Sequence, residues 1–216
     1  MEFFATRGMA AFLAGLLLCC APTDRVDDRS HGTIDLASGA IDPRVTEPAD
    51  QEATRASDGS GQYLIVQLDG TATTADLESL AANVDEVYGY LPQDAFLVRV
   101  TPGQPVASLG AWVGLYRPEY KIAREVREIG DEPAAVIDGD HEALRTIMVQ
   151  TYPDADLGRI TAEVARYPEA DLVGTGTGGR FSRLRMRVPA DRAEAIAEAL
   201  AELPEVFWID VEGQRA

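Results

Sequence analysis

Cysteine is nearly absent from this sequence, and the two it has, Cys19 and Cys20, stand side by side at the end of an apolar run. Beyond them no thiol occurs, which excludes a disulfide framework, a cysteine-bearing zinc site and a cysteine nucleophile from the rest of the chain. Histidine is as scarce: His31 and His141 are far apart, and neither sits in a ligand-spaced cluster. Basic charge is also short. Nineteen Lys and Arg against 36 Asp and Glu leave a net charge of −17. That balance repels phosphate backbones, supplies no basic stripe and argues against a nucleic-acid partner; the acid excess itself reads as a solvated surface. Long hydrophobic runs are missing too, since the apolar stretch at residues 9–18 is shorter than the roughly 20 residues that span a bilayer. What is present is a 46% hydrophobic fraction over 216 residues, enough for one or two globular domains.

The first residues read as an export signal: a short start with Arg7, an apolar core, and polar sequence from Pro22. Leu17-Leu18-Cys19-Cys20 resembles the bacterial lipoprotein signal, which implies a signal peptide over residues 1–20 and a lipid on Cys20, or on Cys19. The protein is then expected to be exported and lipid-anchored, facing the periplasm or on the cell surface, with the lipid as its only membrane contact. Secretion after cleavage near Ala21 is the alternative. Residues 21–61 are rich in Asp, Thr, Ser, Pro and Gly, with Ile34, Leu36 and Ile41 following no period, and read as a disordered acidic linker. His31 in Ser30-His31-Gly32-Thr33 echoes a catalytic histidine motif, but a disordered segment cannot position an imidazole.

The folded part is expected from Tyr63. Tyr63–Leu68 is a β-branched and aromatic run ending at the turn signal Asp69-Gly70. A helix follows over Thr74–Val84, with Thr74 as its N-cap and Leu77, Leu80, Ala81 and Val84 on its inner face. The hairpin Glu86–Leu91 and Ala95–Val100, a second helix around Val106–Leu109 and a strand at Trp112–Tyr116 complete a β-α-β-β-α-β order. The same order returns about 80 residues later. Leu144–Tyr152 is a strand, and Asp156–Tyr167 is a helix with Leu157, Ile160, Val164 and Tyr167 inward. Leu172-Val173 and Arg183–Val188 flank a glycine-rich turn; a helix over Arg192–Leu203 turns Ile196, Ala199, Leu200 and Leu203 inward; Glu205–Asp210 is the last strand. The fold class is therefore α+β: two tandem ferredoxin-like βαββαβ modules, residues 62–129 and 140–212, after the signal peptide and linker. The alternation Arg183-Leu-Arg-Met-Arg-Val188 gives its strand one wet, basic face.

Motifs for chemistry are few. Gly174-Thr-Gly176-Thr-Gly-Gly179 fits G-x-G-x-x-G, but a strand rather than a helix follows it, so it reads as a hairpin loop and not as a dinucleotide site. Asp138, Asp140, His141 and Glu142 stand together in the connector between the modules and read as solvated. No cofactor, metal site or catalytic residue is assigned.

Several segments resemble the N-terminal propeptide region of bacterial subtilisin-like serine peptidases. They are Tyr63–Leu68, the hairpin Tyr88–Val100 and Trp112–Ile122, with Val206–Asp210 in the second module resembling the stretch shortly before the protease domain. The resemblance spans about 150 residues. Such propeptides are ferredoxin-like, template folding of their protease, and inhibit it by packing a sheet on its surface with a C-terminal tail in the substrate cleft. The resemblance thus implies a non-enzymatic protein whose partner is a subtilisin-like peptidase, because the family's catalytic aspartate, histidine and serine motifs have no counterpart here. It implies contacts from Tyr90, Phe96 and Trp112 on the sheet and from Gly213, Gln214, Arg215 and Ala216 in the tail. A truncated peptidase precursor, or an exported ferredoxin-like binding module unrelated to proteolysis, are the alternatives.

Overall fold

The computed structural model describes residues 32–49, 61–129, 144–178 and 180–212, all within one compact unit. The elements are β1 (Ile34–Leu36), β2 (Gly39–Ile41), β3 (Gln62–Gln67), α1 (Thr74–Ala82), β4 (Glu86–Leu91), β5 (Ala95–Val100) and β6 (Trp112–Leu115). A 3₁₀ turn at Pro118–Lys121 leads to α2 (Arg124–Glu128). Then come β7 (Leu144–Thr151), α3 (Leu157–Val164), β8 (Asp171–Gly178), β9 (Phe181–Pro189), α4 (Ala193–Ala201) and β10 (Val206–Val211). The chain is an α+β protein in which every strand pairing within the sheets is antiparallel.

The first four-stranded sheet has the order β4-β5-β3-β6. Leu64 and Val66 of β3, Phe96, Val98 and Val100 of β5, and Val113 face one side and pack with Leu80, Val106 and Leu109. The cap of α1 is Thr73, one residue before the expected Thr74. A capping box needs an acid three residues on; Asp76 meets that for Thr73, whereas Leu77 stands three beyond Thr74. Only Leu80 of α1 is fully buried, and Leu77, expected on the inner face, is 37% exposed. The nine-residue helix touches the sheet at one turn and leaves the rest of its apolar stripe to solvent. The second helix expected at 106–109 is not formed. Residues 101–111 run in turns with two isolated i to i+3 bonds, from Gln104 N–H to Thr101 O and from Leu109 N–H to Val106 O. Pro102, Gly103 and Pro105 precede and Gly110 follows, too short a window to offset helix nucleation. Val106 and Leu109 are nonetheless buried.

The second sheet has the order β10-β7-β9-β8. Ile147, Val149, Leu184, Met186 and Val188 point to one side, where Ile160 and Val164 of α3 and Ile196, Ala197 and Leu200 of α4 cover them. The glycine-rich stretch expected as a loop is the strand β8, paired with β9 from Asp171↔Arg187 to Gly178↔Phe181. Residues 118–129, expected in the first module, belong to this second core. Ile122, Val126 and Ile129 insert there, Ile122 forms a parallel bridge to Ile209, and Ala123 N–H donates to Ile209 O. Once the first sheet closes at β6 it has no apolar face left for them. The buried Lys121 is held by donating to Ala201 O at 2.8 Å and Leu203 O at 2.9 Å, which satisfies carbonyls at the end of α4.

Residues 34–41, expected in a disordered linker, form the hairpin β1–β2 instead. Ile34 and Ile41 are cross-strand partners, 0% and 2% exposed, and Leu36 lies against the same cluster. They cover Ile65, Ala95, Leu97 and Trp112 on the face of the first sheet opposite α1. The rest of that face meets aromatic rings of the second sheet. Tyr63 stacks on Tyr152 at 3.8 Å, Tyr88 tilts against Tyr152 at 4.7 Å, and Phe181 stacks on Phe207 at 4.4 Å. This seam joins the two sheets into one folded body.

Candidate functional site

With one face of the first sheet under α1 and the other under the hairpin and the aromatic seam, the surface left open among the described residues is the side of the second sheet away from α3 and α4, beyond the end where Tyr152 and Phe181 meet the first sheet. Strand alternation writes its composition. Arg183, Arg185 and Arg187 of β9 stand in a column opposite the core residues Leu184, Met186 and Val188. On β7 their neighbours are Gln150, Met148 and Thr146; on β8 they are Gly176, Gly174 and Asp171. Asp210 lies level with Met148, and Glu212 N–H donates to Thr146 O.

The charges on this face are compensated across the strands. Arg187 meets Asp171 at 2.7 Å, and Arg185 meets a carboxylate oxygen of Glu212 at 2.6 Å, with all four side chains partly exposed. Partial burial pushes the Asp210 carboxyl up, against the pull of Arg183 and a hydrogen bond from Gln150. Half-exposed pairs of this kind are worth at most about 1 kcal/mol each, so an incoming charge exchanges with them easily.

The residues singled out from sequence separate in the fold. Tyr90 is 62% exposed on the edge strand β4 and meets Phe96 edge-on at 5.5 Å. Phe96 and Trp112 are buried, and on opposite faces: Phe96 packs towards α1, Trp112 under the hairpin with its indole N–H directed at Thr46 O. Both are core residues here: Phe96 lies beneath Tyr90 on one side of the sheet and Trp112 on the other. Gly213–Ala216, Cys19, Cys20, His31 and the acidic connector with His141 lie outside the described residues.

Among the described residues there is neither histidine nor cysteine, and no group of three or more potential metal ligands. No helix among them is long and apolar enough to cross a membrane. A cleft of about 150 Å³ lies where Tyr63 and Tyr152 meet Asp154, Asp156 and Glu205. Its carboxylates have local duties: Asp154 pairs with Arg99, Asp156 caps α3 through Gly158 N–H, and Glu205 pairs with Arg159. Sequence reasoning missed the hairpin that closes the first sheet, although Ile34 and Leu36 alternate, Ser38-Gly39 is a turn signal, and Ile41 resumes the pattern.

Residues 35–118 match the family described as a domain of unknown function (DUF8729), a stretch that runs from the hairpin through β6 and so treats hairpin and first sheet as one unit. No curated protein and no solved structure matches the chain.

Proposed function

We propose that this is a non-catalytic binding protein of the subtilase-propeptide kind, exported and held at the membrane by a lipid on Cys20 or Cys19, which docks on a subtilisin-like serine peptidase. In this reading each sheet is a ferredoxin-like unit. The observation that carries it is the strand order of the second sheet, in which the first strand pairs with the fourth and the third, and the second is an edge, with both helices on one side. The first sheet repeats that order, with turns at 101–111 in place of the second helix.

Propeptides of this kind engage their protease with the sheet face that their helices leave uncovered. Among the described residues only the second sheet offers such a face, so we assign the docking surface to Met148, Gln150, Arg183, Arg185 and Arg187 in place of the buried Phe96 and Trp112. The strand β10 is the last element of the same sheet, and Gly213–Ala216, which follow it in sequence, are the segment proposed to enter the substrate cleft.

The test is a titration of the chain against a panel of subtilisin-like peptidases, compared with a version ending at Glu212. The expected result is tight inhibition of at least one peptidase, weakened by about tenfold or more, at least 1.4 kcal/mol, without the tail. Failure to inhibit any of the panel would favour an exported binding module unrelated to proteolysis.

A further inference from the structure

Strand edges need closing, because a row of unpaired N–H and C=O groups accepts any extended chain. Of the four edges of the two four-stranded sheets, three are closed or interrupted by the protein itself. Beside β6, Ala49 N–H donates to Val113 O at 2.8 Å. Beside β10 run Ile122 and Ala123, through the bridge and hydrogen bond to Ile209. The edge strand β4 is bulged at Tyr88, and Arg180 takes the Tyr88 carbonyl at 3.1 Å. The fourth edge, β8, has β9 on one side and no backbone partner on the other among the described residues. It is bulged at Val173, which leaves Gly174–Gly178 as its straight part, with Thr175, Gly176 and Thr177 exposed.

The geometry points to β8 as the acceptor for an extended segment of a partner protein that carries two acidic side chains at alternate positions. A strand added to β8 lies two strand spacings, about 10 Å, from β9. Between it and Arg183 and Arg185 stand Gly176 and Gly174, where even a Cβ would meet nothing within 4 Å. The guanidinium groups lean towards Glu212 and Asp210 on the β10 side in the free chain, and the open space over the two glycines leaves them room to swing to the added strand. Their spacing, two residues along β9, equals the spacing of alternate side chains on the incoming strand, about 7 Å. Main-chain hydrogen bonds to β8 supply the register and the carboxylates supply the selectivity. Arg185 would exchange the half-exposed Glu212 for the ligand, and Arg183 would turn from Asp210. This site shares Arg183 and Arg185 with the proposed peptidase-docking face but needs neither a peptidase nor the tail, so peptide binding without peptidase inhibition, or the reverse, tells the two readings apart.

Three labelled hexapeptides test it by fluorescence anisotropy with the chain: one alternating Val and Asp, one alternating Val and Lys, and a Val/Asp peptide N-methylated at alternate amides. Two variants accompany them, Gly176→Glu, which places a carboxylate beside Arg183 from within, and Arg183→Glu with Arg185→Glu on the exposed face. The expected result is binding of the Val/Asp peptide, with slower amide exchange at Thr175 and Thr177. The Val/Lys and N-methylated peptides and both variants should each bind at least tenfold more weakly. Equal binding of the Asp and Lys peptides, equal binding of the N-methylated peptide, or no binding at all would overturn the proposal. So would a dimer that Gly176→Glu dissolves, because the occupant of β8 would then be a second copy of the chain.

Discussion

Trp112 and Gly114 show how closely the first core is fitted. A Cβ on Gly114 would stand 2.2 Å from the Trp112 ring, so the indole lies flat over a position that admits only hydrogen. Gly114→Ala should destabilise the protein by about 1–3 kcal/mol in urea and shift the Trp112 emission to the red as the ring is displaced. Lys121 carries a different constraint. Burial brings its ammonium down to about 8 from 10.5, against the pull of Glu202 and Glu205. Between those two values the unfolded chain holds a proton that the folded chain has released, so stability rises with pH across that window. Burial raises the Tyr88, Tyr116 and Tyr152 phenols above their ordinary 10.0, so above pH 10 the unfolded chain loses protons that the folded chain keeps, and stability falls. Denaturation measured from pH 7 to 11.5 should show a maximum near pH 10, and Lys121→Met should remove the rise while keeping the fall.

At the scale of elements, the hairpin β1–β2 makes the sharpest prediction. Ile34→Ala should cost about 2–4 kcal/mol, as for a core residue, whereas a disordered linker would tolerate it within about 0.5 kcal/mol. Thermal or chemical denaturation separates the two outcomes. The hairpin also marks where the sequence stops being readable. Strands of three residues are too short for periodicity to register, and Ile34 acquires its meaning only from Ile65, Leu97 and Trp112, far along the chain. The strand β9 is the opposite case: three apolar residues alternate with three arginines, so its two faces and the wet surface of the second sheet are legible directly. For α1 the apolar stripe was real but its partner was not, since period reports which face is apolar and not whether anything covers it. The docking face suffered likewise. Phe96 and Trp112 looked available because aromatic residues in strands are equally suited to core and interface, and only the sheet register places them on opposite sides.

For the whole molecule, the aromatic seam determines whether two sheets behave as one body. Tyr63, Tyr88, Phe181 and Phe207 come from four strands and Tyr152 from just beyond β7, and no local pattern foretells their meeting. Around them Arg99 pairs with Asp154, and Arg180 reaches Glu86 and lies 5.1 Å from the centre of the Tyr88 ring. Calorimetry should give a single unfolding transition, and Tyr152→Ala, at a cost of about 3–5 kcal/mol, should split it into two as the sheets uncouple. The functional reading rests on the same architecture, because the seam and the hairpin fill the first sheet and leave the second sheet's polar face for a partner. The most direct measurement is amide exchange of the chain mixed with a subtilisin-like peptidase whose active site is blocked covalently outside the cleft entrance. Slower exchange confined to residues 146–150, 183–187 and 206–212 is the predicted result. Protection at β4 around Tyr90 with none on the second sheet, or no protection with any peptidase tried, would contradict the account.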